Sequence, residues 1–110
     1  MSRIIKAFYI KSRVSRLQKC TQGDKGVHLR FMDELPERRE LHAACIGDQY
    51  AVKCEEVENG LFKVSDELLA DGRNIRFYLV ALSDRAGRTI AELELPVMRR
   101  PNRGINNGKN

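Results

Sequence analysis

Apolar and polar residues alternate along several short segments of this chain. In the clearest of them, Val27, Leu29 and Phe31 alternate with His28 and Arg30. A period of two places successive side chains on opposite faces of a β-strand, so each such segment predicts a strand with one buried face. The other segments with this pattern are 41–46, 50–55, 61–64, 75–82 and 91–97. Tyr50, Val52 and Cys54 are expected to be the inward-facing set of segment 50–55.

Turn residues separate these segments. Asn59-Gly60 is typical of a tight hairpin turn. Ser65, two acidic residues and a later Gly72 predict one short helix that acts as a connector. Strands at roughly ten-residue spacing predict an all-β fold, an Ig-like β-sandwich of about seven strands. A closed barrel has the same alternation and stays open as an alternative.

The composition is typical of one folded domain. Hydrophobic residues make up 42% and charged residues 32% of the 110 residues, which does not fit a disordered chain. We expect a single β-sandwich domain at 1–100 and a flexible basic Gly/Asn tail at 101–110. The first residues do not resemble a signal peptide, and no apolar stretch is long enough for a membrane helix, so we expect no membrane partner.

The first segment, 4–14, is apolar on both faces. Ile4, Phe8 and Ile10 share one face, and Ile5, Ala7 and Tyr9 share the other. This pattern indicates a strand with two partners. One is the core, and the other is either a neighbouring subunit or a further part of its own sandwich. The basic residues near the C-terminus are a second candidate contact. The predicted interface residues are Ile5, Tyr9, Arg99, Arg100, Arg103 and Ile105.

The residue types that carry chemistry are scattered. His28 and His42 lie in different predicted strands, and neither has a second ligand at metal spacing. Three cysteines without a Cys-x-x-Cys pair predict buried thiols, and neighbouring acidic residues on a strand point to opposite faces. We therefore predict no catalytic residues, no metal site, no cofactor and no enzymatic activity.

The charge leaves one alternative function open. The net charge of +5 is a moderate basic bias, and it favours a small nucleic-acid-binding β-barrel as the alternative. Aromatic residues make up only 6% of the chain and there is no Trp, so platforms for stacking bases are sparse. Nucleic acid is therefore an unlikely partner.

The order of the segments supports a comparison with a family. A strand ending in Phe31 leads into an acidic stretch, and a short Ala/Cys strand, an Asn-Gly turn and two further strands follow, up to Val97. This order resembles the small immunoglobulin-like modules of tailed-phage and prophage structural proteins, such as baseplate, fibre and head-decoration components. Met32, Leu35 and Ser65 stand where that pattern usually has Ser, Trp and Pro.

The resemblance implies a function without catalysis. A protein of this kind is a structural protein of a phage virion, present in symmetry-related copies and attached through β-strand and terminal-arm contacts. Its partners are other virion proteins and itself, as a homo-oligomer or a symmetric array. Its location is the virion, after assembly in the cytoplasm of the bacterial host. No functional residue carries over, since none of the matching motifs is catalytic.

Overall fold

The computed structural model describes residues 3–10 and 14–101. About half of them, 51%, lie in strands. The strands are β1 (Arg3–Ala7), β2 (Val14–Arg16), β3 (Cys20–Thr21), β4 (Val27–Phe31), β5 (Arg39–Cys45), β6 (Val52–Lys53), β7 (Glu56–Glu58), β8 (Leu61–Lys63), β9 (Ile75–Leu82), β10 (Gly87–Leu95) and β11 (Val97–Met98), and the helix is α1 (Asp66–Asp71). No helix in this described part is long and apolar enough to cross a membrane.

The described strands form two main sheets and one two-stranded ribbon. The four-stranded sheet has the order β1-β4-β8-β7, the five-stranded sheet has the order β2-β10-β9-β5-β6, and β11 pairs with β3. Each main sheet has two ends, so no barrel closes within residues 3–10 and 14–101. The predicted all-β, sandwich-like fold class is confirmed, and the closed barrel is excluded.

Side chains from both main sheets form one core cluster. The alternation of β4 is as predicted, because Val27, Leu29 and Phe31 are buried while the two residues between them are partly exposed. Burying one large apolar side chain stabilises a fold by about 1.5–3 kcal/mol. The largest fully buried side chains are Phe62, Phe77, Ile5, Leu29, Leu41, Leu69, Ile75, Leu79, Leu93, Leu95, Val27 and Val64.

The predicted first strand becomes two strands in different sheets. β1 runs parallel to β4, with Ile5 opposite Leu29, and β2 runs parallel to β10, with Ser15 opposite Leu93. Stacked sheets are about 10 Å apart, so one straight strand cannot belong to both. The segments β6 and β7 also belong to different sheets.

A proline divides the last predicted strand. Pro96 lies between β10 and β11 and has no N–H for a sheet ladder, while its carbonyl accepts a hydrogen bond from the N–H of Cys20 at 2.9 Å. β11 then pairs with β3, with Val97 opposite Cys20. These divisions, with several two- and three-residue strands, explain why the described residues hold eleven strands where about seven were predicted.

The predicted short helix is present between β8 and β9. The Ser65 hydroxyl accepts a hydrogen bond from the N–H of Leu68 at 3.4 Å, which caps the first turn. Gly72 ends the helix in the left-handed conformation with φ of 89°. A side chain at Gly72 would also meet Gln22, since a Cβ there would lie 2.9 Å from that side chain. Leu69 of this helix packs into the core and is 0% exposed.

The prediction for segment 50–55 is correct only for its last member. Cys54 is buried, but Tyr50 is 81% exposed and Val52 is 52% exposed. Val52 lies opposite the buried Ala43 in the ladder between β5 and β6. However, β6 is the outermost strand of the wider sheet. At that edge the inward face of the strand is only half covered.

Candidate assembly surface

The outer edge of β1 has no strand neighbour within the described residues. Just beyond β1, the Ser15 hydroxyl donates a hydrogen bond to the carbonyl of Phe8 at 3.1 Å. β1 is the end strand of its sheet, with β4 as its strand neighbour. The N–H of Met32 donates to the carbonyl of Ala7 at 2.9 Å on the β4 side. Peptide groups of successive strand residues point to opposite edges, so those of Ile4 and Lys6 point away from β4. A free edge of this kind can pair with a strand of another chain.

Four large apolar side chains are exposed beside this edge. Ile4 is 51% exposed, Phe8 55%, Ile10 63% and Met32 47%. Ile4 and Phe8 share the outer face of the sheet, because they are four positions apart and successive side chains alternate between the faces. Met32 joins them from the end of β4, where it is hydrogen-bonded to β1. We call these four residues the β1 patch, and clusters of exposed apolar residues are typical of interaction sites.

Asp33 anchors the chain where it leaves β1. Its Oδ2 accepts hydrogen bonds from the N–H groups of Tyr9 at 2.6 Å and of Ile10 at 2.9 Å. The Tyr9 hydroxyl donates to the carbonyl of Glu34, and its ring packs edge-to-face on Phe31 with centroids 6.0 Å apart. Desolvation raises the pKa of Tyr9, and the charges of the two neighbouring carboxylates raise it further. The β1 patch is therefore presented on an anchored backbone.

The opposite edge of the same sheet is acidic. β7 is the other end strand, and it contains Glu56 and Glu58 with Val57 between them at a register shift. Val57 is 40% exposed, and the side chain of Glu58 is 70% exposed. Glu58 lies 3.7 Å from Arg30 of β4, which is a loose ion pair.

Glu56 has internal partners instead. The Arg39 guanidinium donates to its two carboxylate oxygens at 2.6 and 3.3 Å, and the N–H of Gly60 donates at 2.8 Å. Burial alone would raise the pKa of Glu56. The hydrogen bonds from Arg39 and Gly60 outweigh burial and hold this pKa below its usual value. Glu56 thus ties β7 to the start of β5.

The groups that could carry catalysis or metal binding do not converge in the described residues. There is no group of three or more His, Cys, Asp or Glu side chains there that could hold a metal ion. His28 lies 3.3 Å from the carbonyl of Gly26 in one sheet, and His42 lies 2.9 Å from Glu40 in the other. Burial raises the pKa of Cys54 to about 12, so this thiol is protonated and unreactive at neutral pH.

The fold resembles a phage domain. The structure is similar to the N-terminal domain of phage TP901-1 ORF48, with a TM-score of 0.50 and 12% sequence identity. The alignment covers 88% of this chain and 98% of that one. No family model matches the sequence, and none of the curated proteins matches it. A phage protein domain with this fold therefore exists, in line with the resemblance stated from the sequence.

The structure corrects one of the predicted interface residues. Ile5 is only 1% exposed, so the prediction that it contacts a neighbouring subunit is wrong. The register with β4 turns Ile5 toward the core and leaves Ile4 and Phe8 on the outer face. Tyr9 is partly buried at the anchored corner, and its contact with a subunit stays a prediction. The exposed apolar side chains of this segment thus lie on the face opposite to Ile5.

The described part of the basic end lies near Arg3, the first residue of β1. Arg99 and Arg100 are exposed after β11, while Arg103 and Ile105 lie outside the described residues. The Arg100 N–H donates to the Gln22 side chain at 3.0 Å. Asp24 lies 4.0 Å from Arg100 and 3.9 Å from Arg3, so the described part of this end mixes both signs of charge.

None of the four patch residues is among the predicted interface residues. The sequence pattern placed Ile4, Phe8 and Ile10 on one strand face, and it placed Met32 after the strand that ends in Phe31. An apolar residue directly after a strand that ends in a buried Phe31 is a usable signal, since alternation places it on the outer face.

Proposed function

We propose that this chain is a non-enzymatic structural protein of a phage virion that assembles with neighbouring subunits through β-strand and terminal-arm contacts. The observation that carries the proposal is the β1 patch beside the open edge of β1. Backbone groups at an edge can add a strand, and the apolar side chains next to it gain stability when a partner covers them.

The fold supports a phage origin. A domain of a phage protein has a similar fold, with an alignment that covers 88% of this chain. Under the proposal, the chain resides in the virion after assembly in the host cytoplasm, and its partners are other virion proteins and further copies of itself. The immunoglobulin-like character of the module is also part of the proposal.

The absence of catalysis is likewise proposed. The described histidines lie on different sheets, and each is occupied by a local hydrogen bond. The three cysteines are buried and free. These side chains have structural surroundings, and a convergent polar pocket of the kind that enzymes use does not form around them.

Purified phage particles provide the test. Particles from the strain that encodes this chain are analysed by quantitative mass spectrometry, with the chain supplied as wild type or as Ile4→Ser/Phe8→Ser. We expect the wild type at a fixed ratio to the other particle proteins and the double variant to be lost from particles. The matched control is Tyr50→Ser/Val52→Ser, which removes side chains at least as exposed from the region of the β6 edge and should still be incorporated.

Two results would overturn the proposal. If complete particles do not contain the wild-type chain, it is not a virion protein. Equal incorporation of the β1-patch variant and the control would remove the role of β1. Binding of the purified chain to a short oligonucleotide that weakens steeply with salt would favour the nucleic-acid alternative instead.

A further inference from the structure

We propose that the partner at the β1 edge is a second copy of this chain, which presents its β7 edge. The inference rests on the proposed function, because it names a partner for the same surface. Each copy would use two different edges, so the contact is heterologous and copies add in one direction, as a ring or a row.

The β1 side of the sheet is basic. Lys6 is exposed and has no ion pair with any described residue. Its neighbour across the ladder is Arg30, and His28 lies opposite Lys63 on the same outer face. Like charges on neighbouring strands are unfavourable. An acidic group from outside would therefore stabilise this side of the sheet.

The β7 side offers such groups. Glu58 is mostly exposed and only loosely paired, and Glu55, just before β7, is exposed and has no ion pair within the described residues. Glu56 is occupied by Arg39 and stays internal. Val57, which is 40% exposed, adds an apolar side chain that can meet the β1 patch.

The charges discriminate between the possible edge pairs. Two β1 edges would bring Lys6 near its own copy, and two β7 edges would bring glutamates together. The mixed pair alone joins opposite charges, and electrostatic complementarity of this kind selects partner and register. The carboxylates and the ammonium group decide which edges meet, and the apolar patch supplies most of the contact.

The strand directions permit a regular repeat. β4 is parallel to β1, β8 is antiparallel to β4, and β7 is antiparallel to β8, so β7 runs parallel to β1. Copies in the same orientation would therefore join β7 to β1 as parallel neighbours. Both strands are short, so one junction is small, and a closed or repeated array gains stability from many junctions.

A charge exchange tests the pairing. Lys6→Glu and Glu58→Lys are made separately, together in one chain, and as a mixture of the two single variants, and association is followed by sedimentation velocity at low salt. We expect wild-type association, roughly tenfold weaker association of each single variant, and recovery in both the double variant and the mixture. Glu92→Lys on β10 makes the same charge change in the other main sheet and should behave as wild type.

Other outcomes would overturn this inference and leave the proposed virion role unaffected. Loss of association in Lys6→Glu but not in Glu58→Lys would mean that β7 is not the partner edge. A wild type that stays monomeric at every concentration would mean that Lys6 protects the edge from pairing with copies of the chain. The virion role is tested separately by incorporation into particles. Circular dichroism of each variant establishes that it is folded.

Discussion

β9 and β1 have the same kind of sequence and opposite positions in their sheets. Both carry apolar residues on both faces, with Lys6 in β1 and Arg76 in β9 as basic residues among them. β9 pairs with β5 on one side and β10 on the other, and its inward Phe77 and Leu79 are 0% exposed. β1 pairs with β4, and its outward Ile4 and Phe8 are more than half exposed.

The difference lies in what covers the second face. In β9, the outward Tyr78 has His42 on one side and Glu92 on the other, and these cross-strand neighbours leave it only partly exposed. Within the described chain, β1 has a neighbouring strand on one side only. In β9, side chains of the two neighbouring strands cover the outward apolar residues. In β1, we propose that a partner molecule covers them.

Truncation of a central core residue gives the largest expected effect. Phe77→Ala should lower the free energy of unfolding by about 3–5 kcal/mol, because it leaves a cavity between the sheets. Phe8→Ala should change it by less than about 0.5 kcal/mol, since the side chain is exposed in the isolated chain. Urea denaturation measures both. Equal losses would mean that Phe8 is packed as tightly as Phe77.

Neighbouring residues of β1 give a sharper version of the comparison. Ile5→Ala should destabilise the fold by about 2–5 kcal/mol, because Ile5 is 1% exposed. Ile4→Ala makes the same chemical change one residue earlier and should leave the unfolding free energy nearly unchanged. The opposite order of the two losses would mean that β1 has the other face toward the core.

The sequence alone could not decide between those two faces. In β4, the polar residues His28 and Arg30 mark the face toward solvent, so the buried face of this strand was predictable. In β1 both faces are apolar, and the choice depends on the register with β4, which is fixed by contacts far away in sequence. The sequence also does not show that the chain passes from one sheet to the other between β1 and β2, because that depends on the same distant contacts. The exposure of Tyr50 and Val52 depends on which strand ends up at a sheet edge, and alternation does not report that.

Loss of the hydrogen bonds to Asp33 should have the next smaller effect on stability. Asp33→Ala removes the acceptor of two backbone N–H groups, those of Tyr9 and Ile10, and should cost about 1–3 kcal/mol of unfolding free energy. Asp33→Asn keeps an oxygen acceptor and should cost less. The comparison is made by urea denaturation. If both variants match the wild type, the corner is not held by these hydrogen bonds.

The smallest effect is a pH dependence at the β7 edge. The pKa of Glu56 in the folded chain lies below the ordinary value of 4.5, so its ionised form stabilises the fold above pH 4.5. This contribution is lost as the pH falls through the lower folded pKa. The stability difference between the wild type and Glu56→Gln should therefore shrink below pH 4.5. If this stability difference stays constant across that pH range, the ionisation of Glu56 does not contribute to the stability.

The parallel pairing of β2 and β3 with the last two strands has a mechanical consequence. β2 runs parallel to β10, and β3 runs parallel to β11. When a force pulls the two ends of the domain apart, parallel strands of this kind slide along each other in shear. Their hydrogen bonds then bear the load together instead of opening one at a time. A domain tied in this way resists tension along the chain.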